Sequence, residues 1–432
     1  MQPAKKIFSN LKKKINSTSA KIAVVGLGYV GLPIVNLIQK KKYNVIGFDV
    51  DEKKINLLKK KKNYIPYLKL NFSKKVKFSN EIKDIEIADI IIIALPTPLK
   101  NKKPDLKNLE IFINNFEDNF KNKLIIFEST SYPGTTREYF IERLKKKFNV
   151  GINIFYSFSP ERINPGENEN NLNKIPKIIS GETKNCKSLI KLFYSKIFKT
   201  VYMSKNIETA EFTKILENVF RAVNIAFINE IKYLAEPLNV NLIDAIEGAK
   251  TKPFGYMPFY PGPGIGGHCI PIDPLYLTWK AKQIGLKTRF INLSEKINQE
   301  NVDKILKFII KNKKNFNKFK ILILGLSYKK NIDDVRESSS LKLLQNLYKK
   351  KINYDYCDPY VKELKKDELN KYLINKNINY KQINYKEYNI AILMTDHDKF
   401  NYGKILNKSK LIIDTRYKYM RMNIFDAKIK NL

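Results

Sequence analysis

Residues 21–39 decide the fold, and they read KIAVVGLGYVGLPIVNLIQ. An apolar strand is predicted before the glycines and an amphipathic helix after them. Gly26 permits a tight turn, Gly28 lets the backbone approach a pyrophosphate, and Gly31 allows the helix to pack closely on the strand. The helix N-terminus would stabilise the phosphate charge. The predicted cofactor contacts of this segment are Gly26, Gly28, Tyr29, Val30 and Gly31.

A second apolar strand, residues 45–48, ends at Asp49. Asp49 lies 18 residues after Gly31, near the spacing of about 20 expected for the acid that binds the adenosine ribose. A carboxylate there bonds the ribose hydroxyls and repels a 2′-phosphate, so the sequence predicts NAD rather than NADP as cofactor. Lys54 follows closely and is a further predicted cofactor contact, although a lysine at this place weakens the discrimination against a phosphate.

The alternation of strands and helices continues beyond Asp49. Buried strands are predicted over residues 87–95, 123–127 and 152–158, and residues 177–180 and 200–203 complete the first sheet. Thr97, Thr130 and Glu161 follow three of these strands. Ligands bind at the carboxyl ends of strands in a doubly wound sheet, so we expect a site there. Taken singly, each residue is equally compatible with a turn or a helix cap.

A long helix without Pro or Gly is predicted from Glu208 to about Leu238. Lys214 and Asn218 are four residues apart and therefore share a face of that helix. An exposed polar stripe would show the same spacing. A central helix of this length often carries a dimer interface, so we expect a homodimer or a higher homo-oligomer.

The segment PFYPGPGIGGHCIPIDP, residues 258–274, contains too many Gly and Pro residues for a helix or a strand interior. It is predicted to be a loop whose backbone approaches a ligand, since glycine has no Cβ and tolerates positive φ. Cys269 ends the glycine run and Asp273 follows it. A buried structural cysteine is the alternative interpretation of Cys269. The dinucleotide site upstream favours covalent chemistry.

A second α/β unit is predicted from residue 320, with strands over residues 320–325, 354–357, 390–394 and 411–413. It lacks a full glycine fingerprint, so we expect it to hold a different nucleotide. Lys329, Arg336 and Arg416 are natural partners for phosphates.

The predicted fold class is therefore α/β, with two Rossmann-like doubly wound domains joined by a long central helix. The predicted divisions are a solvated basic lead-in over residues 1–20, an NAD-binding domain over 21–203, a central helical region with the cysteine loop over 204–312, and a second Rossmann-like domain for a different nucleotide over 313–432.

Composition narrows the possible functions. The 80 Lys+Arg against 42 Asp+Glu give a net charge of +38, but the lysines are scattered and form no nucleic-acid-binding motif. The three cysteines are far apart and the chain has 2 histidines, so neither a disulfide framework nor a metal site is predicted. The N-terminus has no apolar signal run, and the most apolar run, residues 90–95, is too short to span a bilayer. We expect a cytoplasmic protein that does not bind membranes or nucleic acid.

Together these stretches resemble the UDP-glucose/GDP-mannose dehydrogenase family over nearly the whole chain, from Lys21 to Tyr417. The motifs that carry the resemblance are GLGYVG at 26–31, SPER at 159–162, the helix with Lys214 and Asn218, GIGGHC at 264–269 and YKKNIDDVRES at 328–338. The loop from Lys252 onward resembles the branch that acts on UDP-N-acetylhexosamines, and UDP-N-acetylglucosamine is the expected substrate. Members that act on UDP-glucose carry Arg-Ile-Gly upstream of the cysteine, whereas Thr251-Lys252-Pro253-Phe254 stands here.

The resemblance implies an oxidation of a sugar C6 alcohol to a carboxylate by two successive NAD molecules, for surface polysaccharide. Cys269 would add to the aldehyde intermediate to give a thiohemiacetal and then a thioester. Lys214 would lower the thiol pKa and, with Asn218, stabilise oxyanions; a Schiff base at Lys214 is a second possibility. Glu161 and Asp273 would serve as acid/base or water-orienting groups, and Thr130 would hold a water.

The resemblance also implies binding residues. Arg336 would bridge to NAD, and Thr97 and Thr130 would be further cofactor contacts. The implied substrate contacts are Glu161, Arg162, Lys214, Asn218, Tyr260, Gly262, Gly266, Lys329 and Arg416.

Three alternatives stay open from the sequence. The same chemistry could act on UDP-glucose, UDP-N-acetylgalactosamine, UDP-N-acetylmannosamine or GDP-mannose. A two-electron hydroxyacid dehydrogenase of related fold would not need Cys269. A basic NAD-binding protein that holds nucleic acid is the non-enzymatic alternative.

Overall fold

The computed structural model describes residues 2–65, 71–162, 174–313, 319–361 and 377–432. The chain forms two compact units, Met1–Glu217 with Leu275–Leu286, and Asn218–Pro274 with Lys287–Leu432. Along the described chain the helices are α1 (Gln2–Asn16), α2 (Gly31–Gln39), α3 (Glu52–Lys59), α4 (Lys107–Phe116), α5 (Glu142–Leu144), α6 (Lys184–Ser195), α7 (Ile207–Ala235), α8 (Leu242–Lys250), α9 (Asp273–Gln283), α10 (Arg289–Lys313), α11 (Ser339–Lys349), α12 (Tyr402–Lys408) and α13 (Lys418–Arg421).

The described strands of the first unit are β1 (Lys21–Val25), β2 (Asn44–Phe48), β3 (Val76–Ser79), β4 (Ile90–Ile93), the short hairpin β5 (Leu99–Lys100) and β6 (Lys103–Pro104), β7 (Leu124–Phe127), β8 (Phe155–Phe158), β9 (Lys177–Gly181) and β10 (Val201–Met203). Outside the hairpin they form one sheet in the order β3-β2-β1-β4-β7-β8-β9-β10. All neighbours are parallel except β8 and β9. This is the predicted Rossmann arrangement. Its strands are continuous apolar runs because helices cover both faces of a parallel sheet.

The second unit contains β11 (Lys320–Leu324), β12 (Asn353–Cys357), β13 (Ile390–Leu393), β14 (Ile412–Asp414) and β15 (Ile429–Asn431). Its described strands form a parallel sheet in the order β12-β11-β13-β14-β15. Leu343, Leu344 and Leu347 of α11 are buried against this sheet. The two predicted α/β folds are confirmed, and α7 runs along the chain from the first unit into the second.

The prediction of a solvated lead-in over residues 1–20 is wrong, because Gln2–Asn16 is a helix with a buried apolar stripe. Leu11 and Ile15 are 2% and 0% exposed and join the core of the first unit. The Ile15 carbonyl accepts a hydrogen bond from Tyr43 Oη at 2.9 Å, and Lys14 pairs with Asp89 at 2.6 Å. The surrounding lysines hid this stripe in the sequence.

None of the helices in the described ranges is both long and apolar enough to cross a membrane. The residue boundaries of the three domains that follow the N-terminal segment stay predictions.

Candidate active site

The glycine turn after β1 has the geometry that the fingerprint requires. Gly26 adopts a φ of 92°, and a Cβ there would lie 2.5 Å from the Ala94 carbonyl oxygen. A Cβ on Gly31 would lie 1.8 Å from the Gly26 carbonyl oxygen, so α2 packs against the turn as closely as glycine allows. A Cβ on Gly28 would meet no described atom within 4 Å. The middle glycine therefore faces open space, where a pyrophosphate fits.

The N-terminus of α2 is suited to the same group. Its N-cap, Val30, makes no side-chain capping hydrogen bond. Helix N-terminal N–H groups without a capping side chain favour an anion. Tyr29 and Val30 are half-buried and pack their apolar parts on the core of the first unit. The turn thus fits the pyrophosphate of NAD, with Gly26, Gly28, Tyr29, Val30 and Gly31 as the residues that would hold it.

Asp49 ends β2 beside this turn. Its Oδ2 accepts the Leu27 N–H at 2.9 Å and the Lys54 ammonium at 3.0 Å, while Oδ1 accepts the Asp51 N–H at 3.0 Å. Lys54 is partly exposed, so a ribose hydroxyl can take its place on the carboxylate. The predicted contacts Asp49 and Lys54 are therefore adjacent.

The ends of β4 and β7 are close to one another, as predicted. Thr97 Oγ1 donates to the Thr130 carbonyl at 2.5 Å, and the Thr97 carbonyl accepts from Tyr276 Oη. Ser129 Oγ also donates to the Leu95 carbonyl at 2.8 Å. These hydrogen bonds fix Thr97 and Thr130 as one edge of the site in the first unit.

Glu161 follows β8 and belongs to a buried ionic cluster. Lys177 Nζ lies 2.6 Å from Glu161 Oε2 and 3.0 Å from Glu128 Oε2. Tyr194 Oη donates to the other Glu128 oxygen, and Lys214 Nζ donates to the Glu161 backbone carbonyl. Lys177, Glu128 and Tyr194 are at most 3% exposed. The predicted residues Glu161 and Lys214 thus meet, held by residues that the sequence did not reveal.

The buried cluster around Lys177 shifts the pKa values of its two carboxyl groups. Burial alone would raise the pKa of Glu161, but the Lys177 ammonium outweighs it and holds that pKa below its usual range. Burial raises the pKa of Glu128 against the pull of Lys177. Burial and the Glu128 charge raise the pKa of Tyr194. Glu161 is therefore a carboxylate at neutral pH, able to accept a proton or orient a water.

Arg162 binds Glu217 through two nitrogens, at 3.0 Å and 2.5 Å, and donates to the Pro176 carbonyl at 3.0 Å. The predicted substrate contact Arg162 thus has a carboxylate partner from α7. Its bidentate geometry fixes the start of the segment after β8 to the helix that carries Lys214.

All three cysteines fall within the described residues, and of these Cys269 is the one that is not buried. Burial raises the pKa of the Cys186 and Cys357 thiols, so both are inert apolar groups. Cys269 ends the glycine loop, and its carbonyl accepts the N–H groups of Ile272 at 3.1 Å and Asp273 at 2.8 Å. The thiol therefore stands on a tight turn that leads into α9.

The same turn places Asp273 at the first position of α9. Asn218 Nδ2 donates to Asp273 Oδ2 at 2.5 Å, and Asp273 is 1% exposed. The structure thus brings together Asn218, Asp273 and the Cys269 turn in the second unit. Glu161, Lys214, Thr97 and Thr130 belong to the first unit.

The glycine loop packs closely on the second α/β fold at two of its glycines. A Cβ on Gly266 would lie 2.5 Å from Tyr328 Cβ, and one on Gly262 would lie 3.3 Å from Arg416 Nη1. Gly267 donates its N–H to the Arg336 carbonyl at 2.9 Å. The loop thus runs along the segment after β11, as close backbone approach requires.

The remaining predicted residues lie around this loop. Tyr260 Oη donates to Glu247 at 2.5 Å. Arg416 donates to the Met394 carbonyl at 2.7 Å, and Arg336 Nη2 lies 2.6 Å from Asp334. Lys329 is half-buried in the segment after β11, where its carbonyl accepts from Ser327 Oγ at 2.8 Å.

Two pairs of residues were missed by the sequence analysis. Lys177 holds Glu161 and is itself paired with Glu128, and Asn229 and Lys232 of α7 hold the backbone of Gly262 at 3.0 Å each. A lysine inside a strand or a helix carries no sequence signal in a chain with 80 Lys+Arg. Only the β9 pattern, a lysine opening an apolar run, could have drawn attention to Lys177.

A complete dinucleotide turn, a second nucleotide-type fold and a partly exposed cysteine on a glycine loop define an NAD-dependent dehydrogenase that handles a second nucleotide. Comparison with known families agrees along the chain. The NAD-binding domain, central domain and UDP-binding domain of one family match residues 20–198, 208–300 and 322–421. The chain belongs to the UDP-glucose/GDP-mannose dehydrogenase family. The protein is an NAD-dependent nucleotide-sugar dehydrogenase. The non-enzymatic alternative is therefore wrong.

Similar proteins act on N-acetylated sugars. A UDP-N-acetyl-D-glucosamine 6-dehydrogenase of Pseudomonas aeruginosa is 33% identical over 353 residues, covering 79% of this chain and 83% of the relative. A UDP-N-acetyl-D-mannosamine dehydrogenase of Methanocaldococcus jannaschii is 31% identical over 427 residues, 94% of each chain. The solved UDP-D-ManNAc dehydrogenase from Pyrococcus horikoshii is similar with a TM-score of 0.78 and 30% identity, over 92% of this chain and 95% of the other.

Proposed function

We propose that the protein oxidises the C6 alcohol of a UDP-N-acetylhexosamine to the UDP-uronic acid in a four-electron reaction. UDP-N-acetylglucosamine is the expected substrate. The observation that carries the proposal is the partly exposed Cys269 at the end of a glycine loop, on a turn that also fixes Asp273. A two-electron dehydrogenase has no use for a thiol at this place.

NAD is the hydride acceptor of both oxidations, so one sugar gives two NADH. In the first oxidation the C6 hydroxyl proton passes to a base and the alcohol becomes an aldehyde. The aldehyde carbon then bonds to Cys269 Sγ while its oxygen gains a proton, which gives a thiohemiacetal that can lose the second hydride. Attack of water on the resulting thioester breaks the carbon–sulfur bond and releases the carboxylate and the thiol.

The described geometry supports a division of roles. Glu161 is ionised beside Lys177 and is suited to take a proton or orient a water, not to donate a proton. Lys214 is 8% exposed and supplies a cation for oxyanions. Asp273 accepts from Asn218 in the second unit, so Asn218 fixes the direction of that carboxylate.

Two substrates have support from the relatives. The relative named for UDP-N-acetylglucosamine has the higher identity, 33% against 31%, whereas the relative named for UDP-N-acetylmannosamine covers 94% of the chain against 79%. Both sugars carry an N-acetyl group, which supports the N-acetylhexosamine class. UDP-N-acetylmannosamine is therefore the second candidate, and a uronic acid made from either would serve surface polysaccharide.

The test counts NADH. Purified protein receives excess NAD and a limiting amount of each nucleotide sugar, and the NADH absorbance is read at completion. We expect two NADH per UDP-N-acetylglucosamine and little from UDP-glucose. Two NADH from another sugar would overturn the substrate, and one NADH per sugar would overturn the thioester role of Cys269.

Matched cysteine variants separate chemistry from folding. Cys269→Ser should abolish the second oxidation, because a hydroxyl is a far weaker nucleophile than a thiolate. Cys186→Ala removes a buried thiol of the first unit, outside the glycine loop, and should keep two NADH per sugar. Equal yields from Cys269→Ser and the wild type would refute covalent catalysis at this position.

We also expect a homodimer or a higher homo-oligomer. Phe212, Leu216 and Phe227 of α7 are between 41% and 58% exposed, and apolar side chains of this size on one helix favour contact with another chain. The oligomeric state stays a prediction.

A further inference from the structure

One turn of α7 holds both backbone groups of Gly262. The Gly262 N–H donates to Asn229 Oδ1 at 3.0 Å, and Lys232 Nζ donates to the Gly262 carbonyl at 3.0 Å. Asn229 and Lys232 are three residues apart, so they share a helix face. They are 0% and 2% exposed, so both contacts are shielded from water. A loop residue clamped in this way cannot reorient its peptide groups without breaking a buried hydrogen bond.

The two hydrogen bonds that Asn229 and Lys232 form with Gly262, called the Gly262 clamp below, lie next to Arg416. A Cβ on Gly262 would lie 3.3 Å from Arg416 Nη1, so the guanidinium rests against the bare Cα of the glycine. Arg416 is itself fixed by hydrogen bonds to the carbonyls of Met394 at 2.7 Å and Tyr328 at 3.2 Å. The position of Gly262 and the position of the guanidinium are therefore linked.

The two charged groups that act on the pKa of Lys232 are both cations. Lys304 of α10 and Arg416 face it, and Tyr233 of its own helix lies with its ring centre 5.0 Å from the ammonium. Among the residues that the structure describes, no carboxylate forms an ion pair with Lys232. A buried cation beside a guanidinium and without an acidic partner is complementary to an anion. The diphosphate of a nucleotide sugar supplies that anion.

We infer that Asn229 and Lys232 are positioning residues for the nucleotide sugar, which hold the glycine loop against Arg416 through the two backbone groups of Gly262. This inference rests on the proposed function only for the identity of the ligand.

The clamp has a consequence for pH. Burial and the two neighbouring cations lower the pKa of Lys232 to about 7. A bound diphosphate favours the ammonium form, so nucleotide binding is strongest below that pKa and weakens as the pH rises through it. Substrate binding should accordingly take up part of a proton near neutral pH.

Lys232→Met tests the inference, with Lys304→Met as the matched control. Methionine keeps the apolar stem but removes the donor, and the exposed Lys304 does not contact Gly262. We expect Lys232→Met to raise the KM for the nucleotide sugar about tenfold, since a charge-assisted hydrogen bond contributes about that factor or more. The KM for NAD should not change, and the rise of the sugar KM between pH 6.5 and 8 should disappear. Lys304→Met removes one of the two cations that lower the pKa of Lys232, so it should retain that rise but move it to higher pH.

Hydrogen exchange supplies a readout that does not need activity. In the ligand-free full-length protein, Asn229→Ala and Lys232→Met should each speed amide exchange in the peptide covering residues 258–268, whereas Lys304→Met should not. Unchanged exchange, or equal rises in the KM for NAD and for the sugar, would overturn the inference. If the wild type oxidises no nucleotide sugar, the proposed function fails. The exchange result and calorimetric binding of UDP to the same variants would still show whether Asn229 and Lys232 hold the loop for a nucleotide.

Discussion

Removing the cation of the buried cluster in the first unit is the sharpest test of the site's electrostatics. Lys177 Nζ lies 2.6 Å from Glu161 and 3.0 Å from Glu128, and all three side chains are at most 8% exposed. At about 3 Å and an effective dielectric constant of about 20, each attraction is roughly 5 kcal/mol. In Lys177→Met the carboxylates relieve most of this loss by taking up protons. We therefore expect the free energy of unfolding at pH 8 to fall by about 3–5 kcal/mol, as for other broken buried pairs.

The loss of stability in Lys177→Met should depend on pH in a definite direction. Without Lys177, the folded-state pKa of both Glu128 and Glu161 lies above the unfolded value. Carboxyls of this kind lose their contribution to stability as the pH rises through the folded pKa. The deficit of the variant should therefore be smallest near pH 5 and largest at pH 8.

Trp279 makes the measurement specific to the first unit. It is the chain's one tryptophan, it lies in α9, and its ring centre is 4.8 Å from that of Tyr132. Urea unfolding followed by Trp279 fluorescence therefore reports on the unit that holds Lys177. Lys12→Met, an exposed lysine on α1, is the control and should change stability by less than about 0.5 kcal/mol. A loss below about 1 kcal/mol at pH 8 for Lys177→Met, or a loss that is the same at pH 5, would refute the reasoning.

Two further changes probe the same unit with the same fluorescence. Leu11→Ala should cost about 2–5 kcal/mol, because it leaves a cavity in the core, whereas Lys12→Ala should cost little; equal losses would mean that α1 does not contribute to the core. Glu211 accepts the N–H groups of Gly134 and Thr136 at 2.6 Å and 2.9 Å, and burial raises its pKa to about 7. Its stabilising contribution is therefore present at low pH and lost as the pH rises through 7. Relative to the wild type, Glu211→Gln should gain about 2–3 kcal/mol of stability between pH 5 and pH 8, and parallel pH profiles would contradict this.

The sheets could be predicted because buried parallel strands are continuous apolar runs with glycines or acids at their ends. The strands β3 and β15 were missed. Each lies at an edge of its sheet and alternates apolar with polar residues, as VKFS and IKN do. The docking of α1 was missed for a different reason, since its lysines outnumber the apolar residues that it buries.

Residues of the candidate site could be picked out in the sequence where an unusual residue stands in an unusual segment. They could not be picked out where their place depends on tertiary contacts. Cys269 stands out in a glycine loop, and Asp273 lies within the same turn. Lys177 and Lys232 are ordinary lysines in the sequence, and only the fold places one between two carboxylates and the other on a glycine carbonyl. Whether a charged group is buried depends on its surroundings in the fold, so the sequence does not distinguish a buried lysine from the many exposed ones.

The two nucleotide-binding folds share the same first turn. Gly26 and Gly325 both have a φ of 92°. Gly26 donates its N–H to the Phe48 carbonyl, and Gly325 donates to the Cys357 carbonyl, each at 2.8 Å. The sequence predicted the second fold as the weaker, because no glycines equivalent to the later two of the fingerprint follow Gly325.

The acid at the end of the second strand has different hydrogen-bond partners in the two folds. Asp358 accepts four backbone N–H groups and, at 3.0 Å, His397 Nε2. His397 Nδ1 accepts the Asn331 N–H at 3.0 Å, so its proton sits on Nε2 and points at Asp358. The four lone-pair positions of that carboxylate are then filled, and no acceptor is left for a ribose hydroxyl. Asp49 instead shares its carboxylate with the partly exposed Lys54, which a ribose can displace. Asp49 is therefore suited to bind a ribose, whereas Asp358 serves as a structural support, which is consistent with the match of the second fold to a UDP-binding domain.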